Sequence, residues 1–307
     1  MRNLISVAAL FIAVSSYASP SITWEGAVEG SVRQRASTAP DADVVLLITG
    51  EQRGEAADCG CPARPLGGLA RFETYAQQVE KQADVPVLRI GAGHLFDDTI
   101  GGDGRLRPDV RTRNEAIATV VGGWDAVNIG ASDVPFVDDR ALDSVVSANV
   151  LATDDRAQVR VREVEVAGQT LALIGLAGPG LAFLPPEHHR QVGAVEGLES
   201  ALSTTSADVV VVVGIDLGED LAVIAGNPRV DVLVTAGRHH ERWPPESLGE
   251  AVWVRTVDQG QVVSDIRLSL ADGLTQVRVR QVDLDARIPD DRSTRRALER
   301  VVVPAWP

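Results

Sequence analysis

Five short segments, each following an apolar run, hold the residues that could do chemistry. They are Thr49-Gly50-Glu51-Gln52-Arg53-Gly54, Gly91-Ala92-Gly93-His94, Gly130-Ala131-Ser132-Asp133, Gly214-Ile215-Asp216-Leu217-Gly218 and Gly237-Arg238-His239-His240. Glu51, His94, Asp216 and His240 offer carboxylate and imidazole donors of the kind that suit one zinc-like divalent ion. Arg53 and Arg238 stand among them, and a guanidinium can neither ligate a cation nor give up its proton. With Asp133 and His239, the two arginines mark a crevice suited to an anion, such as a small phosphorylated ligand. The expectation is one metal ion or none, beside an anion-binding crevice.

A second chemistry sits nearby. The chain has two cysteines, Cys59 and Cys61, both in the run Asp58-Cys59-Gly60-Cys61-Pro62. A dithiol at this spacing is a soft-metal clamp, a redox pair for an exported redox partner, or a small strained disulfide. The sequence has no C-x-x-C-H, so it carries no haem attachment motif. His188-His189 follows Pro185-Pro186 and reads as solvated loop.

The elements that must position these groups alternate along the chain. Val44–Ile48, Val85–Ile90, Ala126–Ile129, Leu171–Ile174, Val209–Val213 and Val230–Val234 are short continuous apolar runs closed by turn residues. Such runs suit strands covered on both faces. Between them, Leu69–Gln82, Arg111–Val121, Asp139–Ser147 and Val195–Ser203 have helical periodicity. Val252–Val257, Val262–Leu270 and Gln276–Leu284 read as adjacent strands, and Asp291–Val302 as a final helix. The pattern predicts a single α/β domain over residues 43–303, with functional groups at the carboxyl ends of strands. Residues 19–42 read as a loosely held leader.

In order and spacing these segments resemble the metallophosphoesterase domain of the secreted 5′-nucleotidase and UDP-sugar hydrolase family. Gly67-Gly68-Leu69-Ala70-Arg71 matches that family's G-G-x-A-R turn, and Gly123-Trp124-Asp125-Ala126 its G-Y-D-A segment. Ala148-Asn149-Val150 matches its A-N-V strand, and Ile174-Gly175-Leu176 its next strand end. The resemblance implies a layered, calcineurin-like β-sandwich flanked by helices. It also implies a pair of divalent metals that polarise a phosphate and generate hydroxide.

The departures from the family pattern fall on the ligands. Glu51 stands for the first Asp, Arg53 for its partner His, and His94 for the Asp that bridges the metals. Ala131 replaces the Asn, Ser132 the following His, Asp216 a further His and Arg238 the first His of the last motif; only His240 is retained. The ordinary dinuclear site is therefore lost. The C-G-C-P insertion, followed by G-G-L-A-R, resembles a divergent subgroup of exported, nucleotidase-like proteins.

Composition narrows the classes. The chain is 307 residues long with a net charge of −14, which excludes a general binder of nucleic acid polymers. Arg2, the apolar run Leu4–Val14 and Ser16-Tyr17-Ala18 read as a signal peptide cleaved near Ala18. The mature chain is then expected to be periplasmic or secreted, with no membrane span. Three functions remain open: a pseudo-phosphatase binding an anion or partner, an active divergent phosphoesterase acting on nucleotides or related phosphate esters, and a redox or soft-metal role for Cys59 and Cys61.

Overall fold

A run such as Val44–Ile48 can be buried only if something apolar covers each of its faces, and the architecture supplies both covers. The computed structural model describes residues 19–299, apart from 29, 38–41, 59–64, 131, 138–142, 153–160, 180–188 and 238–240. In chain order its strands are β1 (Ser21–Ala27), β2 (Val44–Thr49), β3 (Val87–Gly91), β4 (Ala126–Asn128), β5 (Val145–Val146), β6 (Val150–Ala152), β7 (Val161–Val166) and β8 (Gln169–Ala177). They continue as β9 (His189–Gln191), β10 (Val209–Ile215), β11 (Val232–Ala236), β12 (Glu246–Leu248), β13 (Ala251–Arg255), β14 (Val262–Leu270) and β15 (Leu274–Asp283). The helices are α1 (Val32–Arg35), α2 (Leu69–Glu80), α3 (Pro108–Val121), α4 (Val134–Val137), α5 (Ala194–Leu202), α6 (Asp220–Ala225) and α7 (Arg292–Glu299).

Two mixed sheets face each other, in the orders β1-β15-β14-β2-β3-β4-β5 and β12-β13-β11-β10-β8-β7. Side chains alternate between the faces of a strand, so each central strand feeds two cores. From β2, Val44, Leu46 and Ile48 meet Val211 and Val213 of β10 between the sheets. Val45 and Leu47 point outward onto Phe72, Tyr75 and Val79 of α2 and Ile117 of α3. From β10, Val210 and Val212 pack outward against Leu198 and Ala201 of α5 and Ile224 of α6. The result is one α/β domain, a two-sheet sandwich with helices on its outer faces.

Three sequence expectations are corrected here. Residues 19–42 are not a loose leader throughout: β1 pairs in parallel with β15, Ser21 opposite Gln276 and Trp24 opposite Val279. The segment is pinned further on, where Arg35, fully buried, bonds Asp285 at 3.0 Å and the Asp283 carbonyl at 2.8 Å. Arg267 and Arg280 both donate to the Ser37 carbonyl, at 2.7 and 2.8 Å. Second, Asp139–Ser147 is not a helix. Residues 138–142 lie outside the described residues, while Val145 and Val146 are buried and pair with β4. A β-branched pair at a sheet edge gains more from that pairing than helical spacing can offer. Third, β13 belongs to the second sheet, beside β11, whereas β14 and β15 form a hairpin in the first.

Candidate functional site

The loops after β2 and β3 are laced together by backbone hydrogen bonds. Glu51 N donates to Gly93 O (3.0 Å), Arg53 N to His94 O (2.7 Å) and Gly54 N to Leu95 O (3.0 Å). To make these bonds the chain turns through the left-handed region at Glu51 (φ 62°), Arg53 (φ 46°) and His94 (φ 51°). Across the sandwich, Asp216 just after β10 does the same (φ 50°). Seven described non-glycine residues have positive φ, and these four are among them. Such residues store on the order of 1 kcal/mol or more each and gather at functional sites.

Asp133 fixes the loop. Its carboxylate is almost fully buried and accepts three backbone N–H groups: His94 at 2.7 Å, Gly130 at 2.8 Å and Phe96 at 2.9 Å. Burial pushes its pKa up, against the pull of His94 and these three donors, and the net direction is upward. The sequence put Asp133 in the anion crevice; the structure turns its carboxylate onto the backbone as a brace. Gly130 is required for a different reason. A Cβ there would lie 2.1 Å from His94 Cδ2, so the imidazole packs directly on bare backbone.

At the centre, Arg53 reaches across its own turn. Its Nε donates to Glu51 Oε2 at 2.8 Å, and Nη2 lies 2.8 Å from His94 Nδ1. His94 Nδ1 is also 3.0 Å from Glu51 Oε1, so the nitrogen meets a guanidinium donor and a carboxylate acceptor at once. The charges decide between them. Burial pushes Glu51 up, but His94 and Arg53 together hold it below the usual carboxylate range. Burial pushes His94 down, but Glu51 and Asp133 raise it overall. The favoured state is an ionised Glu51, with the Arg53 guanidinium and His94 Nδ1 beside it. His94 Nε2 faces the other way, 3.8 Å from Asp216 Oδ2.

Glu51, His94 and Asp216 are the described set able to hold an ion, with one ligand atom from each lying within 4.8 Å of the others. The donors do not fit the ordinary dinuclear centre, because three ligand atoms are too few to hold two metals and Arg53 already bonds Glu51 and lies against His94 Nδ1. As a triad they fit a single divalent metal or none.

Of the residues expected to form the site, the structure brings together Glu51, Arg53, His94 and Asp216. Arg238, His239, His240, Cys59 and Cys61 lie outside the described residues, as does Ala131. Asn128 was missed. It is fully buried at the end of β4, and its Nδ2 bridges Ala92 O (3.2 Å) and Leu176 O (3.0 Å), tying the two sheets beneath His94. A polar residue inside an apolar run, between Val127 and Ile129, was the available signal.

The backbone resembles several solved structures. Of this chain, 86% superposes on 61% of the Thermus thermophilus sulfate thiohydrolase SoxB in complex with glycerol (TM-score 0.73, 16% identity). A 5′-nucleotidase precursor from Thermus thermophilus matches over 84% of this chain and 58% of its own (TM-score 0.67, 21% identity). The fold is that of calcineurin-like metallophosphoesterases and 5′-nucleotidases. The Haemophilus influenzae NAD nucleotidase NadN superposes over 84% of this chain and 55% of its own (TM-score 0.61, 15% identity). The chain thus spans less than two thirds of the length of these neighbours. No family model matches the sequence, and no curated protein sequence matches it. No helix among the described residues is long and apolar enough to cross a membrane.

Proposed function

We propose that this chain is an exported, non-hydrolytic metallophosphoesterase-fold protein, a pseudo-phosphatase whose crevice binds a tetrahedral oxyanion or a partner that carries one. The reading rests on one observation: the Arg53 guanidinium sits on Glu51 and His94, two of the three residues available to a metal. A fixed organic cation takes over charge balance from an ion, and it supplies no Lewis acidity and no metal-bound hydroxide. Arg53 is about a third exposed, and its Nη1 has no partner among the described residues. That nitrogen offers a guanidinium donor of the kind that suits sulfate or phosphate. The structural neighbours are named for sulfate and nucleotide chemistry, and the two share a tetrahedral oxyanion.

The test is calorimetric titration of the purified exported chain with inorganic phosphate and with sulfate, alongside Arg53→Ala. Saturable binding that Arg53→Ala weakens supports the reading. Absence of binding, or binding indifferent to Arg53, contradicts it.

A role for Cys59 and Cys61 in redox or soft-metal chemistry is a second reading, favoured by how their flanks are held. Arg71 donates to the Asp58 carboxylate and to the carbonyls of Pro65 and Gly67, each at 3.1–3.3 Å. The two ends of the cysteine segment are thereby clasped beside the loop that carries Glu51.

A further inference from the structure

The crevice joins loops from both sheets, and its internal pairings leave one group over on each side. From the first sheet, Arg53 gives Nε to Glu51 Oε2 and sets Nη2 against His94 Nδ1, which leaves Nη1 without a partner among the described residues. From the second sheet comes Asp216. Its carboxylate is half exposed, stands 3.8 Å from His94 Nε2 and accepts no hydrogen bond among the described residues. The turn that carries it is fixed: Gly178 N donates to the Ile215 carbonyl at 2.7 Å, and Gly178 packs so closely on the Asp216 carbonyl that no Cβ fits there. One ligand atom each of Glu51, His94 and Asp216 lies within 4.8 Å of the others, so Asp216 and the Glu51–Arg53 pair border the same space. The mouth therefore offers a cationic donor from one sheet and a bare carboxylate acceptor from the other.

We propose that this pair selects free inorganic phosphate, with Arg53 donating to one ligand oxygen and Asp216 accepting the hydrogen carried by another. The inference rests on the oxyanion reading above and names its ligand. A guanidinium donates to any oxyanion, so Arg53 alone separates none of them. An ionised carboxylate only accepts, so Asp216 favours a ligand that brings a hydrogen and repels one that does not. At pH 8 this distinction divides dianions of equal charge. Hydrogen phosphate and hydrogen arsenate keep an O–H. Sulfate has none, and neither does a phosphate monoester, whose second pKa is about 6. Both of the latter meet Asp216 as one bare anion against another. The ligand is thus the free ion rather than its ester, and phosphate rather than sulfate.

The test is calorimetric titration of the purified chain at pH 8, after dialysis against a chelator, with inorganic phosphate, arsenate, sulfate and methyl phosphate. Wild type is compared with Asp216→Asn. Asparagine tolerates the left-handed backbone that Asp216 adopts (φ 50°), so the variant keeps its turn. Wild type is expected to bind phosphate and arsenate about tenfold or more tighter than sulfate and methyl phosphate, the effect of one hydrogen bond to a charged group. Asp216→Asn, whose amide also donates, is expected to remove most of that difference by strengthening sulfate and methyl phosphate. A variant that weakens all four alike and leaves the ratio standing gives Asp216 a merely structural role and overturns the proposal. Wild-type binding of sulfate or methyl phosphate as tight as that of phosphate also overturns it, and leaves the oxyanion reading intact. Absence of saturable binding by all four overturns the oxyanion reading and the proposal together.

Discussion

Replacing Arg53 by Ala should convert a closed charge cluster into an open ligand set. One charge-assisted hydrogen bond of 2.8 Å to a fully buried carboxylate is lost, while the repulsion between Arg53 and His94 is relieved. Hydrogen bonds to charged groups contribute about 1.5–3 kcal/mol, and the guanidinium is about a third exposed, so solvent screens part of that. Glu51 keeps His94 as a partner and is not stranded. The expected cost is about 1–2 kcal/mol, which in a domain of this size lowers Tm by roughly 2–6 °C. The same loss frees Glu51 to join His94 and Asp216 around an ion. A wild-type chain must break the Arg53 contacts before zinc can enter, so its affinity should be about 5–30-fold weaker than the variant's. At a hundredfold excess over Kd, zinc should then stabilise the variant by about 2.7 kcal/mol. The assay is thermal melting and calorimetric titration with zinc. Both proteins carry Cys59→Ser and Cys61→Ser, so that thiolates cannot bind the ion. Equal zinc affinity and an equal rise in Tm for the two proteins would refute the reasoning.

Two further outcomes follow from the same structure. Asp133→Ala removes the acceptor of three buried N–H groups, so urea unfolding should report a loss of about 3–5 kcal/mol, the three bonds not being additive; a loss under about 1 kcal/mol would show that Asp133 is no brace. Burial pushes Asp285 up, but its bonds to Arg287 and Arg35 outweigh that effect and hold it at about 2, below its ordinary 3.8. Its contribution is thus present above pH 3.8 and lost as pH falls towards 2. Asp285→Asn should flatten that part of the acid-unfolding curve, and an unchanged curve would contradict the assignment.

What could be read from sequence was what burial on both faces imposes. Val44–Ile48 and Val209–Val213 can be little other than central strands, and the polar residues that close such runs do collect at one end of the sandwich. β1 escaped notice because an edge strand is half covered, and Ser21, Thr23 and Glu25 on its open side look like linker. β5 is only two residues long, and its pairing with β4 comes from distant chain. At the site, the presence of Glu51, Arg53, His94 and Asp216 was legible from their positions after apolar runs. The contact of Arg53 with Glu51 and His94 was not, because it depends on three loop-to-loop backbone bonds and left-handed turns. For Asp133 the spacing from Gly130 was visible, but the N–H groups of His94 and Phe96 that it serves come from another loop. Residue type indicated the neighbourhood, and backbone lacing assigned the roles.

The central claim is that Arg53 occupies the place of catalytic metal chemistry. Its most direct test is turnover of an aryl phosphate monoester by the purified wild-type chain, after exhaustive dialysis and then with manganese or zinc added. No turnover above the metal-only blank is predicted, with any residual rate unchanged in Glu51→Gln. Robust metal-dependent hydrolysis abolished by Glu51→Gln would contradict the account.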